Sequence, residues 1–324
     1  MSRGLALAVL AALVALGLLA SLAAGKVWVP PSAWLADTPG GWIIFELRLP
    51  RAILGAAIGA VLGLSGAVLQ GYLRNPLADP AIVGVSSSAA LGAVAAIFFG
   101  IAVSPLAMFA CAMAGAGIAM LALVALVGRT GNAIGFILAG SVLSSLAAAL
   151  TAFLVSIAPN PFATQEIINW LMGALTDRGM TELAMALPFM AVGAVLLALT
   201  ARSLDLLNLG EETALSLGLH PHRTQALIVA GLALAVGASV AATGVVGFVG
   251  LVVPHLLRPI FGQRPSALLL PSALGGAALL LFADSAVRLT PGAGEVRLGV
   301  AMALIGAPFF FALLLNLRRR APWG

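Results

Sequence analysis

Residues 52–72 read AILGAAIGAVLGLSGAVLQGY. No charged side chain interrupts this run, and as a helix it reaches across the roughly 30 Å hydrocarbon core of a bilayer. A strand in a lipid-facing barrel would alternate apolar and polar residues, and this stretch does not. Gly55, Gly59 and Gly63 recur at four-residue spacing and leave a bare stripe on one helix face, where another backbone can come close. The stretch therefore predicts a membrane-spanning helix packed through small residues.

The rest of the chain follows the same pattern. Of 324 residues, 62% are hydrophobic and 8% charged, against about 25% charged in soluble domains. So few charges cannot cover a surface that faces water, so lipid is the solvent. In lipid every backbone N–H and C=O needs an internal partner, and continuous Ala- and Leu-rich runs select helices over a barrel. Ten spans are expected, at 4–25, 52–72, 82–103, 105–127, 133–157, 181–201, 224–243, 245–257, 267–287 and 298–316. The first follows Arg3 like the core of a signal peptide but runs to a full span, so it is read as retained. The eighth, GVVGFVGLVVPHLL, is short and glycine-rich, and such a segment needs neighbouring protein to cover it.

The net charge of +5 is spread between the apolar runs, which speaks for membrane topology and against a nucleic-acid partner. With ten spans and a cytoplasmic N-terminus, the inner-side cations are Arg3, Arg74, Arg129, Arg202, Arg223, Arg258, Arg264 and Arg318–Arg320. Lys26, Arg48, Arg51, Arg178, Arg288 and Arg297 lie outside. The bias places both ends in the cytoplasm.

Four connections are too polar to be simple turns: 26–51, 73–80 (LRNPLADP), 158–180 and 202–223. In the last, Glu211, Ala214, Leu215 and Leu217 follow Gly210 and Gly218 ends the run, which predicts a short amphipathic helix. SGAVLQGYLRNP and TGVVGFVGLVVP each place a Gly ten residues before a Pro (Gly66 to Pro76, Gly244 to Pro254), a faint hint of internal symmetry.

Little here carries chemistry. Cys111 stands alone, which excludes a disulfide framework and a cysteine metal site. Lys26 lacks the spacing of a phosphate-binding loop. His220 and His222 flank Pro221 in a polar loop, His255 ends an apolar segment, and no metal-ligand or Ser/His/Asp pattern appears. The chain is expected not to be an enzyme and to hold no metal or cofactor. Mid-span carboxylates, the mark of ion-coupled carriers, are nearly missing; Asp284 and Arg288 stand at i and i+4 near a span end, where they can pair. Transport would then draw its energy from a partner, and an ion-coupled secondary carrier is the alternative.

The stretch RLPRAILGAAIGAVLGLSGAVLQGYLRNPLADPAIVGVS (48–86) resembles the permease subunits of ATP-binding-cassette (ABC) importers for ferric siderophores, haem and cobalamin, the FecCD family. NWLMGAL (169–175), LGEETALSLGL (209–219), GFVGLVVPHLLR (247–258) and GEVRLGVAMALIGAPFFFALLL (294–315) extend the resemblance in family order along nearly the whole chain. It implies a single domain, 1–324, of ten transmembrane helices with an inverted repeat pairing helices 2–5 with 7–10. It also implies a second permease copy, two copies of a cytoplasmic ATPase that binds ATP and Mg, and a periplasmic or lipid-anchored substrate-binding protein. On this resemblance 202–223 is the coupling segment, with Leu209, Gly210, Glu211, Ala214, Leu217 and Gly218 touching the ATPase. Arg48, Arg51 and Arg288 match positions that meet the binding protein's carboxylates, and Ser141, Ser144, Ser145 and Thr151 lie on the helix that matches the pathway wall. The cargo is a bulky metal chelate, with ferric siderophore the first expectation and haem or cobalamin the alternatives. Arg297 departs from the family, which usually has Pro there.

Overall fold

The computed structural model describes residues 2–128, 133–291 and 294–320. Arg129 and residues 321–324 of the arginine-rich tail lie outside the described residues, as do the side chains of Arg318–Arg320. Among the described residues every regular element is helical. Helix α1 (Arg3–Ala23) is followed by α2 (Pro39–Trp42), which runs through a π-helical turn, Ile43–Arg48, into α3 (Leu49–Tyr72). Then come α4 (Val85–Phe98), α5 (Pro105–Val127), α6 (Ala133–Ser156), α7 (Pro161–Leu171) and α8 (Met180–Ala198). The chain ends with α9 (Ala201–Leu207), α10 (Glu211–Ser216), α11 (Pro221–Thr243), α12 (Val249–Phe261), α13 (Pro265–Arg288) and α14 (Leu298–Arg320).

Seven of these helical stretches are long and apolar enough to cross a membrane, and three shorter apolar helices, α4, α12 and the first part of α14, bring the total to the ten expected. Three local readings change. The helical stretch that carries the second span starts at Pro39, well before residue 52, and Arg48 and Arg51 within it find acceptors inside the protein, the Leu22 carbonyl for the first and the Asp284 carboxylate for the second. The connection 158–180 contains α7, capped by the Asn160 side chain on the Ala163 amide, with Pro161 at its first position and Ile167 and Trp170 buried. The third span is as short as the eighth: α4 has 14 residues and α12 has 13, about 20 Å each at 1.5 Å per residue.

Both short helices begin after irregular chain. A 3₁₀ turn, Pro80–Val83, leads into α4, and residues 244–248 lead into α12, whose cap Phe248 has φ 69°. Protein covers these backbones: Gln70 Nε2 donates to the carbonyls of Gly250 (3.2 Å) and Ala78 (3.4 Å). The two short helices are also counterparts. Exchanging α3, α4, α5 and α6 for α11, α12, α13 and α14 turns the packed pairs α3–α13, α4–α5, α4–α6 and α3–α12 into α11–α5, α12–α13, α12–α14 and α11–α4, all of which pack. This is the inverted repeat of helices 2–5 and 7–10. The Gly-to-Pro coincidence does not mark it: Gly66 lies inside α3, whereas Gly244 ends α11.

The centre of the bundle is the α3–α13 seam. A Cβ on Gly59 would strike the Gly276 carbonyl, one on Gly276 would strike the Gly59 carbonyl, and one on Gly63 would strike the Ser272 carbonyl. Gly55, expected on the same stripe, instead faces the Leu175 side chain. Around this seam α3 and α11 are largely buried, whereas α6 leaves Leu138, Val142, Leu146 and Phe153 exposed and α14 leaves Leu304 and Phe311 exposed.

Candidate functional site

The two ends of the bundle hold different machinery. One end is formed by residues 24–48, 172–179 and 289–297 and by the C-terminus of α13. Here Asp284, only 1% exposed, lies between two guanidiniums. Arg51 grips it with both arms, Nη2 to Oδ1 at 2.8 Å and Nε to Oδ2 at 3.2 Å. Arg288 Nε stands 3.2 Å from Asp284 Oδ2, one turn along α13, so the expected i, i+4 pair is present. Arg51 Nη2 also donates to Glu295 Oε2 (2.8 Å), which accepts from the Thr176 hydroxyl (3.0 Å). Burial works against the Glu295 charge, yet the bond and charge of Arg51, with Thr176 and Arg288, hold its pKa below the ordinary glutamate range.

The network continues into α1. Arg288 Nη2 donates to the carbonyl and hydroxyl of Ser21, both at 2.7 Å. Arg48 Nη1 donates to the carbonyls of Leu22 (2.8 Å) and Ala23 (3.0 Å), so it caps the C-terminus of α1 with a positive charge. Arg48, Arg51 and Arg288 are therefore all buried. Carboxylates and carbonyls of the same chain engage all three guanidiniums. Glu295 and Thr176 were not singled out from sequence as their partners, and Asp284 was read only as the partner of Arg288. The spacing of Asp284 to Arg288 was a local signal, but 233 residues separate Arg51 from Asp284 and nothing local records that contact.

At the opposite end lies the arm formed by α9 and α10. Glu211–Ser216 form the short helix expected after Gly210, and Gly218 (φ +87°) ends it. The Leu219 amide bonds the Ala214 carbonyl (2.9 Å) and the Gly218 amide bonds the Leu215 carbonyl (3.0 Å). This paired closure is the Schellman motif, which needs a left-handed residue at the Gly218 position. Ala214 is fully buried beneath the helix, while Leu209, Leu215 and Leu217 are about half exposed on a segment that polar residues surround. Asp205 on α9 locks the arm to α13: it accepts from Arg264 Nε (2.6 Å), the Ser266 hydroxyl (2.7 Å) and the Ser266 amide (3.0 Å), capping the α13 N-terminus. Asn208 adds a bond to the Gln263 carbonyl. Beside the arm a polar cavity of about 220 Å³ is lined by Gln70, Arg74, Asn208, Arg258 and Gln263, with Arg258 Nη2 donating to Gln70 Oε1 at 2.7 Å. Gln70, a lone amide in an otherwise apolar run, was the available signal for this cluster.

Between the ends, α6 carries the hydroxyls expected along a pathway. Ser141 donates to the Leu138 carbonyl one turn back (2.9 Å), and Ser144 donates to the Ala81 carbonyl in the turn before α4 (3.1 Å). Ser145 lies on the exposed face of α6 beside Val142 and Leu146, and Thr151 is half-buried. Among the described residues no group of three or more His, Cys, Asp or Glu is placed to hold a metal ion.

The family model described as the FecCD transport family matches residues 13–316. A cobalamin import system permease protein, BtuC, of Halobacterium salinarum is 42% identical over 281 residues, covering 86% of this chain and 75% of the relative. An Fe(3+) dicitrate transport system permease protein, FecD, of Escherichia coli K12 is 38% identical over 306 residues, 93% of this chain and 95% of its own. A metal-chelate type ABC transporter solved in an inward-facing conformation superposes with a TM-score of 0.86 at 32% identity, over 97% of this chain and 99% of that one. PsaBC of Streptococcus pneumoniae, at TM-score 0.55 and 16% identity, shares the fold.

Proposed function

The chain belongs to the FecCD transport family, and from this we propose that it is the membrane-spanning permease subunit of an ABC importer that moves a bulky metal chelate into the cell. The observation that carries the reading is the arm at Glu211–Ser216: a short helix with exposed leucines, closed by its own hydrogen bonds and fastened to α13 through Asp205. A device of this kind transmits force from a partner; an ion-coupled carrier has no use for it. Leu209, Glu211 and Leu217 are the ATPase contacts in this reading, with Gly210, Ala214 and Gly218 giving the arm its shape.

The arm lies in the cytoplasm, with both chain termini on the same side, in the inner membrane. ATP and Mg are held by two copies of a separate ATPase. The opposite end faces outward and receives the substrate-binding protein. There Arg48, Arg51 and Arg288 serve docking by setting the shape of the face: they fasten the last turn of α1, the first turns of α3 and the segment 289–297 to the end of α13. The open faces of α6 and α14 meet the second permease copy, and Ser141, Ser144, Ser145 and Thr151 lie along the pathway between them. Ferric siderophore, haem and cobalamin are the cargo classes; the bland wall of α6 leaves the choice among them to the binding protein.

The test is reconstitution in proteoliposomes with an ATPase and a substrate-binding protein from the same cell, offering each of the three chelates. ATP-dependent uptake of one of them is expected. Uptake at the full rate without the ATPase would refute the reading and bring back the ion-coupled carrier.

A further inference from the structure

The polar cavity beside the arm is unbalanced in charge. Two guanidiniums, Arg74 and Arg258, line its 220 Å³ together with the amides of Gln70, Asn208 and Gln263, and among the described residues no carboxylate does. The acids of the adjoining segments are engaged elsewhere. Asp205 holds Arg264 and Ser266, and Asp79 accepts from the Ala81 amide (2.9 Å). Glu211 borders a separate, smaller cavity that Arg74 also reaches. Among the described residues neither Arg74 nor Arg258 makes an ion pair within 4 Å.

The chain fixes both arginines in place. Arg258 is half-buried in the last turn of α12, where the helix dipole suits a cation but supplies no counter-ion. Its Nη2 is spent on Gln70 Oε1 (2.7 Å), and Gln70 in turn is tied to the Gly250 carbonyl, so the guanidinium is part of the cavity wall. Arg74 follows α3 with φ 48°, a left-handed backbone that an arginine adopts only at a cost. Its turn is closed by the Asn75 amide on the Gln70 carbonyl (3.2 Å) and by the Leu77 amide on Asn75 Oδ1 (2.9 Å). Asn208 Nδ2 is committed to the Gln263 carbonyl (3.3 Å). The donors left over are those of the two guanidiniums and the Gln263 side chain.

The cavity lies where α12 ends at Phe261 and α13 begins at Pro265, level with the ends of two spans. Around that level hydrocarbon gives way to headgroups. An uncompensated guanidinium is costly in the first, and the second carries phosphate. Basic pockets between spanning helices at such a level suit phosphate headgroups, and the guanidinium fork matches phosphate oxygens. We infer that this cavity is a binding site for a phosphate group, held by Arg74 and Arg258 with Gln263 at its rim. A membrane phospholipid and a soluble phosphate both present that chemistry. Asn208 closes the C-terminus of α9, so a bound phosphate joins the root of the arm to α3 and α12. The inference goes beyond the importer reading and does not depend on it.

The test uses the full chain purified in a neutral detergent, with binding read by microscale thermophoresis at low salt. The probes are dioctanoyl phosphatidic acid, inorganic phosphate, and dioctanoylglycerol, which lacks the phosphate. Saturable binding of phosphatidic acid is expected. Its affinity falls about tenfold or more in Arg74→Gln/Arg258→Gln and stays within about twofold in Arg202→Gln, an exposed arginine of α9 that does not line the cavity. Inorganic phosphate that binds with the same dependence on Arg74 and Arg258 supports the inference and makes a soluble anion a source; binding of phosphatidic acid alone supports it as a headgroup site. Dioctanoylglycerol binding as tightly as phosphatidic acid overturns it, as does an unchanged affinity in the double variant or an equal loss in Arg202→Gln. No saturable binding of either phosphate probe also overturns it and leaves the cavity to a carboxylate of a protein partner. Should the double variant not fold, Arg74→Gln alone decides: a loss of about threefold is expected, and no loss overturns the inference. ATP-dependent uptake is a separate measurement, so failure here leaves the importer reading intact.

Discussion

The two ends of this bundle solve opposite problems with the same residue types. At the Asp284 end, charges are turned inward: Arg51 and Asp284 are almost completely buried and satisfy each other. At the Glu211–Ser216 end, apolar side chains are turned outward: Leu209 is 59% exposed and Leu217 is 51% exposed. A buried ion pair contributes geometry more than net stability, because desolvation cancels much of its attraction. An exposed leucine contributes nothing to the chain that carries it, and it gains only when a partner covers it. At one end the charges are thus satisfied within the chain, and at the other the chain leaves apolar side chains uncovered.

Four experiments bear on that contrast. The largest effect is expected from Asp284→Asn, which strands the positive charges of Arg51 and Arg288 in a buried site and should cost about 3–5 kcal/mol of stability. Unfolding in detergent followed by circular dichroism measures it; a loss below 1 kcal/mol would mean that water already solvates the network. Leu217→Asp should leave stability within about 0.5 kcal/mol and cut ATP-dependent uptake at least tenfold, a loss of about 1.4 kcal/mol of contact. Retained uptake would show that the arm does not meet the ATPase. Gly218→Ala should cost about 1–2 kcal/mol by placing a Cβ at a left-handed position, read as a lower melting temperature and partial uncoupling together; a change in neither would remove the Schellman closure from the account.

The smallest effect concerns pH. The Glu295 pKa is held below its ordinary value, so its stabilising contribution is complete above the ordinary glutamate range and is lost as pH falls through the depressed pKa. Stability should therefore be flat near neutrality and fall in acid, and Glu295→Gln should flatten part of that fall. An acid limb identical in the variant would mean that other carboxylates carry it.

The sequence made the contrast only half visible. Features with local signatures could be read directly. The apolar lengths predicted ten spans, Gly210 and Gly218 bracketed a helix, and the Asp284-to-Arg288 spacing predicted a pair. The inward turn of Arg48 and Arg51 had no such signature. Each depends on partners far along the chain, α1 carbonyls for the first and Asp284 for the second, and an arginine beside a span reads identically whether it faces water or a buried carboxylate. Helix α7 hid for another reason: its mixed composition resembles a loop, although Asn160 and Pro161 did mark its start.

One feature joins the two ends. Helix α13 has 24 residues, about 36 Å of helix; Asp205 grips its first turn, and Asp284 and Arg288 occupy its last. Along its middle it meets α3 through glycine backbones with no side chains between them. A joint of long flexible side chains has play, and rotamer changes absorb small displacements before anything beyond them moves. Backbone laid on backbone has almost no such backlash. In engineering terms the α3–α13 contact is a joint with little clearance: where Gly59 meets Gly276 and Gly63 meets Ser272 there are few side-chain rotamers to absorb a small displacement.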